Sequence, residues 1–88
     1  MTSKTTKDFW LRYDKMPLEI QTLAKKTYAL WHENPNHPSL YFSPLEKSPS
    51  VYRVKITKSY RALGNKDNNI ITWFWIGSHS DYNRELKK

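Results

Sequence analysis

Hydrophobic positions recur along the first third of the chain at the spacing of an α-helix. Phe9, Tyr13 and Met16 follow the i, i+4, i+7 pattern, and two threonines before them offer an N-cap. Pro17 ends this helix and suits the first position of a second one, because the N–H that proline lacks is unpaired there anyway. The second helix carries one apolar stripe and ends before the two prolines of residues 34–38. The stripe comprises Ile20, Leu23, Ala24, Thr27, Leu30 and Trp31.

The rest of the chain has the pattern of a β-meander. The predicted strands are 40–42, 51–57, 60–63 and 70–76. The first is bent or ended by Pro44, the second alternates strictly between apolar and polar side chains, and the last is apolar on both faces, as in a covered central strand. Residues 65–69 have the composition of a turn, and Gly77 ends the last strand. Ser78 then resembles the N-cap of a short helix through Leu86. The predicted class is α+β, in a single domain spanning residues 1–88.

Composition supports a folded core and a polyanionic partner. Apolar residues are 38% of the chain and aromatic residues 15%, which excludes a disordered tail. The net charge is +7, and it is concentrated in the second half. Residues 51–61 contain four cations and no acid, namely Arg53, Lys55, Lys58 and Arg61. Such a cluster favours nucleic acid, an anionic membrane or an acidic protein as the partner.

Several classes of protein are excluded by what the sequence lacks. With no cysteine, there is no disulfide framework, cysteine-ligated zinc site or thiol nucleophile. The longest apolar run, residues 70–76, is far shorter than the roughly 18 residues of a membrane span. The polar N-terminus has no signal-peptide pattern, so we expect a cytoplasmic protein without membrane contact. The three histidines lack a metal-site spacing, so we expect no metal and no cofactor.

Five segments in order resemble the RelE/ParE toxin superfamily of type II toxin–antitoxin systems. They are residues 16–21 (MPLEIQ), 34–42 (NPNHPSLYF), 51–56 (VYRVKI), 60–63 (YRAL) and 73–82 (WFWIGSHSDY). No single segment is specific, but the ordered set spans residues 9–86. The resemblance implies a microbial-RNase-like fold, with two N-terminal helices packed on a curved, mainly antiparallel sheet of about four strands and a short C-terminal helix. Many members of this superfamily cleave mRNA on the ribosome, whereas others inhibit DNA gyrase without cleaving nucleic acid.

The resemblance also implies roles for individual residues. Arg53 and Lys55 match basic strand positions of the RNA-cleaving branch, and Arg61 matches its arginine in the Tyr-Arg strand. His79 matches a position that carries Arg or His in relatives, and Tyr82 matches a tyrosine near the C-terminus. Two features depart from the family pattern. Glu46 is displaced from the glutamate that some members use as a general base, and only Met1–Thr5 is available for the usual first strand.

The chemistry of these residue types agrees with RNA cleavage by its own 2′-OH. That reaction needs proton removal, proton delivery and cations around a dianionic transition state. Arg53 and Lys55, two apart on a strand, point the same way, and Arg61 follows on the next strand with Lys58 in support. His79 and Tyr82 share a helix face at i, i+3. The alternatives are a solvated sheet face for the cations and a packing anchor for Tyr82.

Three functions therefore remain open. The first is a metal-independent mRNA endonuclease acting at the ribosome, with Arg61, His79 and Tyr82 as catalytic residues and Arg53, Lys55 and Lys58 binding RNA. The second is a gyrase inhibitor that uses the basic face for docking. The third, a simple RNA-binding module, lacks a solvent-facing aromatic platform in the sequence pattern, since Trp73 and Trp75 are expected in the core. For a toxin we also expect a cognate acidic antitoxin.

Overall fold

Three α-helices and a five-stranded sheet form most of residues 1–87, the part of the chain that the computed structural model describes. In chain order the elements are β1 (Thr2–Thr5), α1 (Lys7–Asp14), α2 (Leu18–Glu33), a 3₁₀ helix (Pro38–Leu40), β2 (Ser43–Pro44), β3 (Val51–Thr57), β4 (Tyr60–Asp67), β5 (Ile70–Ser78) and α3 (His79–Leu86). The strands lie in the order β1-β5-β4-β3-β2. Every neighbouring pair is antiparallel except β1 and β5. The predicted α+β class is confirmed.

The strand that the sequence left in doubt is present as β1. It pairs in parallel with β5, with Thr2 opposite Ile70 and Thr5 opposite Trp73, and it adds a fifth strand to the predicted four. Its side chains are polar and mostly exposed. The strand is held by backbone hydrogen bonds at a sheet edge, so it carries no hydrophobic alternation from which it could be predicted.

Both N-terminal helices begin and end close to the predicted residues. The Thr6 hydroxyl caps α1 by accepting a hydrogen bond from the Phe9 N–H at 3.1 Å. Pro17, predicted as the first helical residue of α2, is its N-cap instead, so the helix begins one position later, at Leu18. The Gln21 side-chain amide donates to the carbonyls of Tyr13 and Met16, both at 3.1 Å, and thereby holds the corner between the helices.

Strand boundaries differ from the prediction in three places, one of which is β5, because this strand continues through Gly77 to Ser78 instead of ending at residue 76. The strand expected at residues 40–42 is wrong in position, because the chain forms the 3₁₀ helix there and β2 begins at Ser43. Pro44 is tolerated in β2 because this is an edge strand. Further on, β4 continues through Gly64 to Asp67, so the predicted turn at 65–69 shortens to the two asparagines 68 and 69.

Two hydrophobic cores lie on opposite faces of the sheet. The main core, under α1 and α2, contains Tyr13, Trp31, Leu40, Val54, Ala62, Ile71, Trp73 and Ile76. The second core, under α3, contains Leu63, Trp75 and Tyr82. Trp73 and Trp75 are 5% and 2% exposed, which confirms that both are core residues. No helix in residues 1–87 is long and apolar enough to cross a membrane.

A bulge in β5 separates those two tryptophans. Trp73 pairs with Gly64 and Trp75 pairs with Leu63, so Phe74 is an extra residue on the β5 side of the ladder. Without the bulge, residues 73 and 75 would face the same side of the sheet. With it, Trp73 packs under the two N-terminal helices and Trp75 packs under α3.

Candidate functional site

The cations of β3 and β4 share one face of the sheet with α3. Lys55 lies directly opposite Arg61 in the ladder, and Arg53 lies opposite Leu63 of the second core. The opposite face of β3 packs Val54 into the main core, as the strict alternation predicts. We call Arg53, Lys55, Lys58 and Arg61 the basic patch. The ion pairs Arg12–Asp8 and Arg84–Asp81 lie outside this patch.

Arg61 is fixed against the turn between β3 and β4. Its Nη1 donates to the carbonyls of Thr57, Tyr60 at 3.0 Å and Lys58 at 3.4 Å. The side chain is therefore half-buried and oriented by the backbone, while the Lys58 side chain in the turn is exposed. A guanidinium held in this way is a positioned cation beside Lys55. Because like charges directly opposite each other on a sheet repel, this pair would be stabilised by a bound anion.

The start of α3 lies against the same turn. The Ser78 hydroxyl caps the helix by accepting from the Asp81 N–H at 3.2 Å, which confirms the predicted N-cap. The His79 N–H donates to the Ser59 carbonyl at 2.7 Å. These two hydrogen bonds place the backbone of His79, whose side chain is exposed, beside the turn that holds the Arg61 guanidinium.

Tyr82 links α3 to the basic patch. Its ring is buried, with its centroid 6.3 Å from that of Trp75 and 6.0 Å from that of His79, to which it is nearly parallel at 21°. Its hydroxyl accepts a hydrogen bond from Arg53 Nη1 at 3.4 Å. Tyr82 is therefore a packing anchor, as the alternative interpretation expects, because its ring lies in the second core. It is also a polar neighbour of the basic patch, because its hydroxyl is hydrogen-bonded to Arg53.

All six predicted site residues therefore lie on the α3 side of the sheet or in the adjoining turn. The structure connects Arg53, Tyr82 and His79 through direct contacts, and it pairs Lys55 with Arg61 across the ladder. The three histidines do not converge, and within residues 1–87 no group of three histidine or acidic side chains is arranged to hold a metal ion. His37 instead accepts a hydrogen bond from the Ser39 N–H at the start of the 3₁₀ helix.

The sequence did not predict that Glu46 and Tyr41 lie beside the patch. Glu46, in the loop before β3, lines a groove of about 450 Å³ together with Arg53 and Glu85. The Tyr41 ring lies beside the patch, with Lys55 Nζ 5.0 Å from its centroid. Neither residue has a sequence signal for this placement, because both lie in irregular chain whose path depends on the packing of Leu40 and Phe42.

A comparison with protein families identifies the family of this chain. The family model of the ParE-like toxin domain matches residues 18–84, which is most of the chain. The chain belongs to the ParE-like toxin domain family. No curated protein matches the sequence.

Solved structures of related toxins share the fold of this ParE-like protein. A chain of the RelB-RelE antitoxin-toxin complex from Methanococcus jannaschii superposes with a TM-score of 0.76 at 12% identity, over 94% of this chain and 98% of that one. YafQ from E. coli gives 0.73 at 9% identity, covering 91% and 94%. The isolated RelE toxin of E. coli gives 0.67 at 15% identity, covering 98% and 95%. At these identities the likeness establishes the fold.

In this ParE-like domain the site combines two kinds of chemical group. The patch offers guanidinium and ammonium groups, which neutralise phosphate charge and, in arginine, bind two oxygens at once. His79 offers an imidazole, a group that can donate or accept a proton, beside the hydroxyl-bearing ring of Tyr82. Together these groups match the needs of phosphodiester chemistry.

Proposed function

We propose that this protein is the toxin of a type II toxin–antitoxin system and cleaves mRNA on the ribosome, in the cytoplasm, to arrest translation. One observation carries the proposal. A patch of four cations on β3, β4 and their turn meets a histidine and a tyrosine at the start of α3. A docking surface needs the charge but has no need of a proton-transferring group beside it.

In the proposed reaction the RNA supplies its own nucleophile. The 2′-OH attacks the adjacent phosphorus, the bond from phosphorus to the 5′ oxygen breaks, and the products carry a 2′,3′-cyclic phosphate and a 5′-OH. One proton leaves the 2′-OH and one is delivered to the 5′ oxygen. Arg61, held by the turn carbonyls, would face the scissile phosphate with Lys55, and these cations would stabilise the transition-state charge without a metal.

The remaining groups would divide the proton transfer and the binding. His79 is exposed at the end of the sheet, so its imidazole is available to a bound RNA. The Tyr82 hydroxyl is held by Arg53, which would place it near the same phosphate. Arg53 and Lys58 would contact the neighbouring backbone phosphates. The Glu46 carboxylate lines the groove beside Arg53 and would offer a further proton acceptor there.

The test is a coupled cell-free translation reaction with the purified protein, followed by mapping of mRNA ends by primer extension. We expect discrete cleavages in translated mRNA and none in the same mRNA without ribosomes. The Lys55→Ala variant should lose most of this activity. The matched control is Lys26→Ala, which removes the same charge from an exposed position on α2 and should cleave at the wild-type rate.

A gyrase supercoiling assay run in parallel separates the rival function. Intact mRNA together with lost supercoiling would reject the endonuclease and favour a gyrase inhibitor of the kind that the superfamily also contains. If the mRNA stays intact and gyrase still supercoils DNA, both activities are rejected.

We further propose that an acidic antitoxin neutralises the protein by covering the basic patch. The net charge of +7 supports this, as does the occurrence of the structural relatives in antitoxin-toxin complexes. A partly disordered acidic segment could fold along the patch and block access to Arg61 and His79.

A further inference from the structure

Tyr41 is held in an unusual backbone conformation beside the basic patch. It follows the 3₁₀ helix with φ 49° and ψ 36°, in the left-handed region that bulky residues rarely occupy. Its neighbours in the chain point inward, because Leu40 is buried in the main core and the Phe42 ring packs 4.8 Å from that of Tyr52. The strained residue between them projects its ring outward, and 64% of its surface is exposed. Strain of this kind is concentrated at functional sites.

The exposed Tyr41 ring contacts the basic patch through the ammonium group of Lys55. Lys55 Nζ lies 5.0 Å from the ring centroid, within the range of a cation–π contact. The same Lys55 lies opposite Arg61, the arginine proposed to face the scissile phosphate. A phosphate bound between these two cations would therefore leave its attached nucleoside within reach of the Tyr41 ring.

We propose that Tyr41 is a stacking platform for an unpaired nucleobase of the bound RNA. This inference rests on the proposed function and adds a base-binding position to the phosphate site. An exposed aromatic ring stacks on the flat face of any base, and a cation that contacts both the ring and the phosphate fixes the distance between them. The left-handed backbone aims the ring at this position, and the inward packing of residues 40 and 42 keeps it there.

Two substitutions at one position separate stacking from structure. Tyr41→Phe keeps the ring. Tyr41→Asn removes the ring but suits a left-handed backbone better than tyrosine does, so the fold should be no less stable than the wild type. The control is Tyr28→Asn, which removes a partly exposed tyrosine from α2 on the far side of the sheet.

The probe is a short single-stranded RNA with 2′-O-methyl sugars, which cannot be cleaved, carrying the fluorescent base 2-aminopurine at successive positions. For wild type and for Tyr41→Phe we expect quenching of 2-aminopurine at one position and the same affinity. For Tyr41→Asn we expect the loss of that quenching and about tenfold weaker binding, with an unchanged or higher melting temperature. Tyr28→Asn should retain both the quenching and the affinity.

The platform is rejected if Tyr41→Asn keeps the quenching and affinity of the wild type, if Tyr41→Phe loses as much as Tyr41→Asn, or if the wild type does not bind the probe. Ribosomal cleavage by the same proteins distinguishes the two proposals. If the wild type cleaves mRNA while one of those results holds, the platform is wrong and the endonuclease stands. If the wild type binds and quenches the probe but cleaves nothing, the platform stands and the endonuclease is wrong.

Discussion

At the scale of single residues, Tyr82 has a different role at each end of its side chain. The ring is buried against Trp75 in the second core, and the hydroxyl accepts a hydrogen bond from Arg53. Truncation to alanine would remove both roles at once and would leave a cavity under α3. Only a substitution that keeps the ring tests the chemistry.

We expect Tyr82→Phe to lower mRNA cleavage about 100-fold if the hydroxyl transfers a proton. The melting temperature should stay close to that of the wild type, because the ring remains packed. Single-turnover cleavage on programmed ribosomes, with a melting curve for each protein, measures both. His79→Ala in the same assay should lose activity by a similar factor if the imidazole transfers a proton, and it should melt near the wild-type temperature because the side chain is exposed. If both variants cleave mRNA at the wild-type rate, neither Tyr82 nor His79 transfers a proton in the reaction.

Arg61 combines an expected catalytic role with a visible structural one. Arg61→Ala should reduce cleavage by about 10²–10³-fold, the usual effect of losing a positioned cation at a transition state. It should also lower the free energy of unfolding by about 1–2 kcal/mol, because three turn carbonyls lose their donor. Urea unfolding measures the second effect, and Lys26→Ala is its control. If the activity of Arg61→Ala falls only in proportion to its folded fraction, then Arg61 has a structural role and no catalytic one.

At the scale of elements, the placement of α3 decides whether a site exists. The helix carries His79 and Tyr82, and it is held by the Ser78 cap, by the Ser59 carbonyl and by Trp75 underneath. Two substitutions outside the patch test this support.

Ser78→Ala removes the side-chain cap of α3. We expect a loss of about 1 kcal/mol in the free energy of unfolding and reduced cleavage, because the first turn that carries His79 loses its anchor. Ser80→Ala, two residues further along at an exposed position, is the matched control and should be near neutral. Equal stability of the two variants would show that the hydroxyl of Ser78 does not hold the helix.

Gly77 makes room for the tryptophan that supports α3. A Cβ at this position would lie 2.7 Å from Cη2 and 2.8 Å from Cζ2 of Trp75. Gly77→Ala should therefore displace the indole, which packs against Tyr82, and lower the free energy of unfolding by about 1–3 kcal/mol. The near-ultraviolet circular dichroism of the protein, to which its buried tryptophans contribute, and urea unfolding are the readouts. A variant that unfolds like the wild type would show that the ring moves at no cost.

At the scale of the whole molecule, the two faces of the sheet differ in the elements that cover them and in their charge. One face is covered by α1 and α2 over the main core, and the other carries α3, the second core and the basic patch. The uneven cover leaves the cations of β3 and of the turn open to a large polyanion. Both proposed partners, mRNA and an acidic antitoxin, would approach this face.

Association with the antitoxin should therefore be fast and sensitive to salt. We expect the association rate to fall by at least tenfold between low and high ionic strength, because charge steers the encounter. Stopped-flow mixing of the purified pair measures it, and Arg53→Ala should reduce the salt dependence where Lys26→Ala on the other face does not. A rate that is independent of salt would place the interface away from the patch.

Much of this architecture is determined locally and could be predicted from the sequence. The spacing of Phe9 and Tyr13 determines a helix, and Thr6 and Ser78 are caps whose hydrogen bonds form within one turn of chain. The alternation of β3 places Arg53 and Lys55 on one face whatever the neighbouring strand is. The family resemblance placed Arg61, His79 and Tyr82 in one region. These features depend on residues a few positions apart, which the sequence displays directly.

Other features depend on residues that meet only in the folded chain. The bulge at Phe74 results from the register between β4 and β5, and it sends Trp73 and Trp75 to different cores. The polar strand β1 has no pattern of its own and exists because β5 offers an open edge. The contact of Arg61 with the turn carbonyls and the outward ring of Tyr41 likewise follow from packing elsewhere. A pairing register and a strained backbone are properties of two segments in contact, so only the tertiary structure decides them.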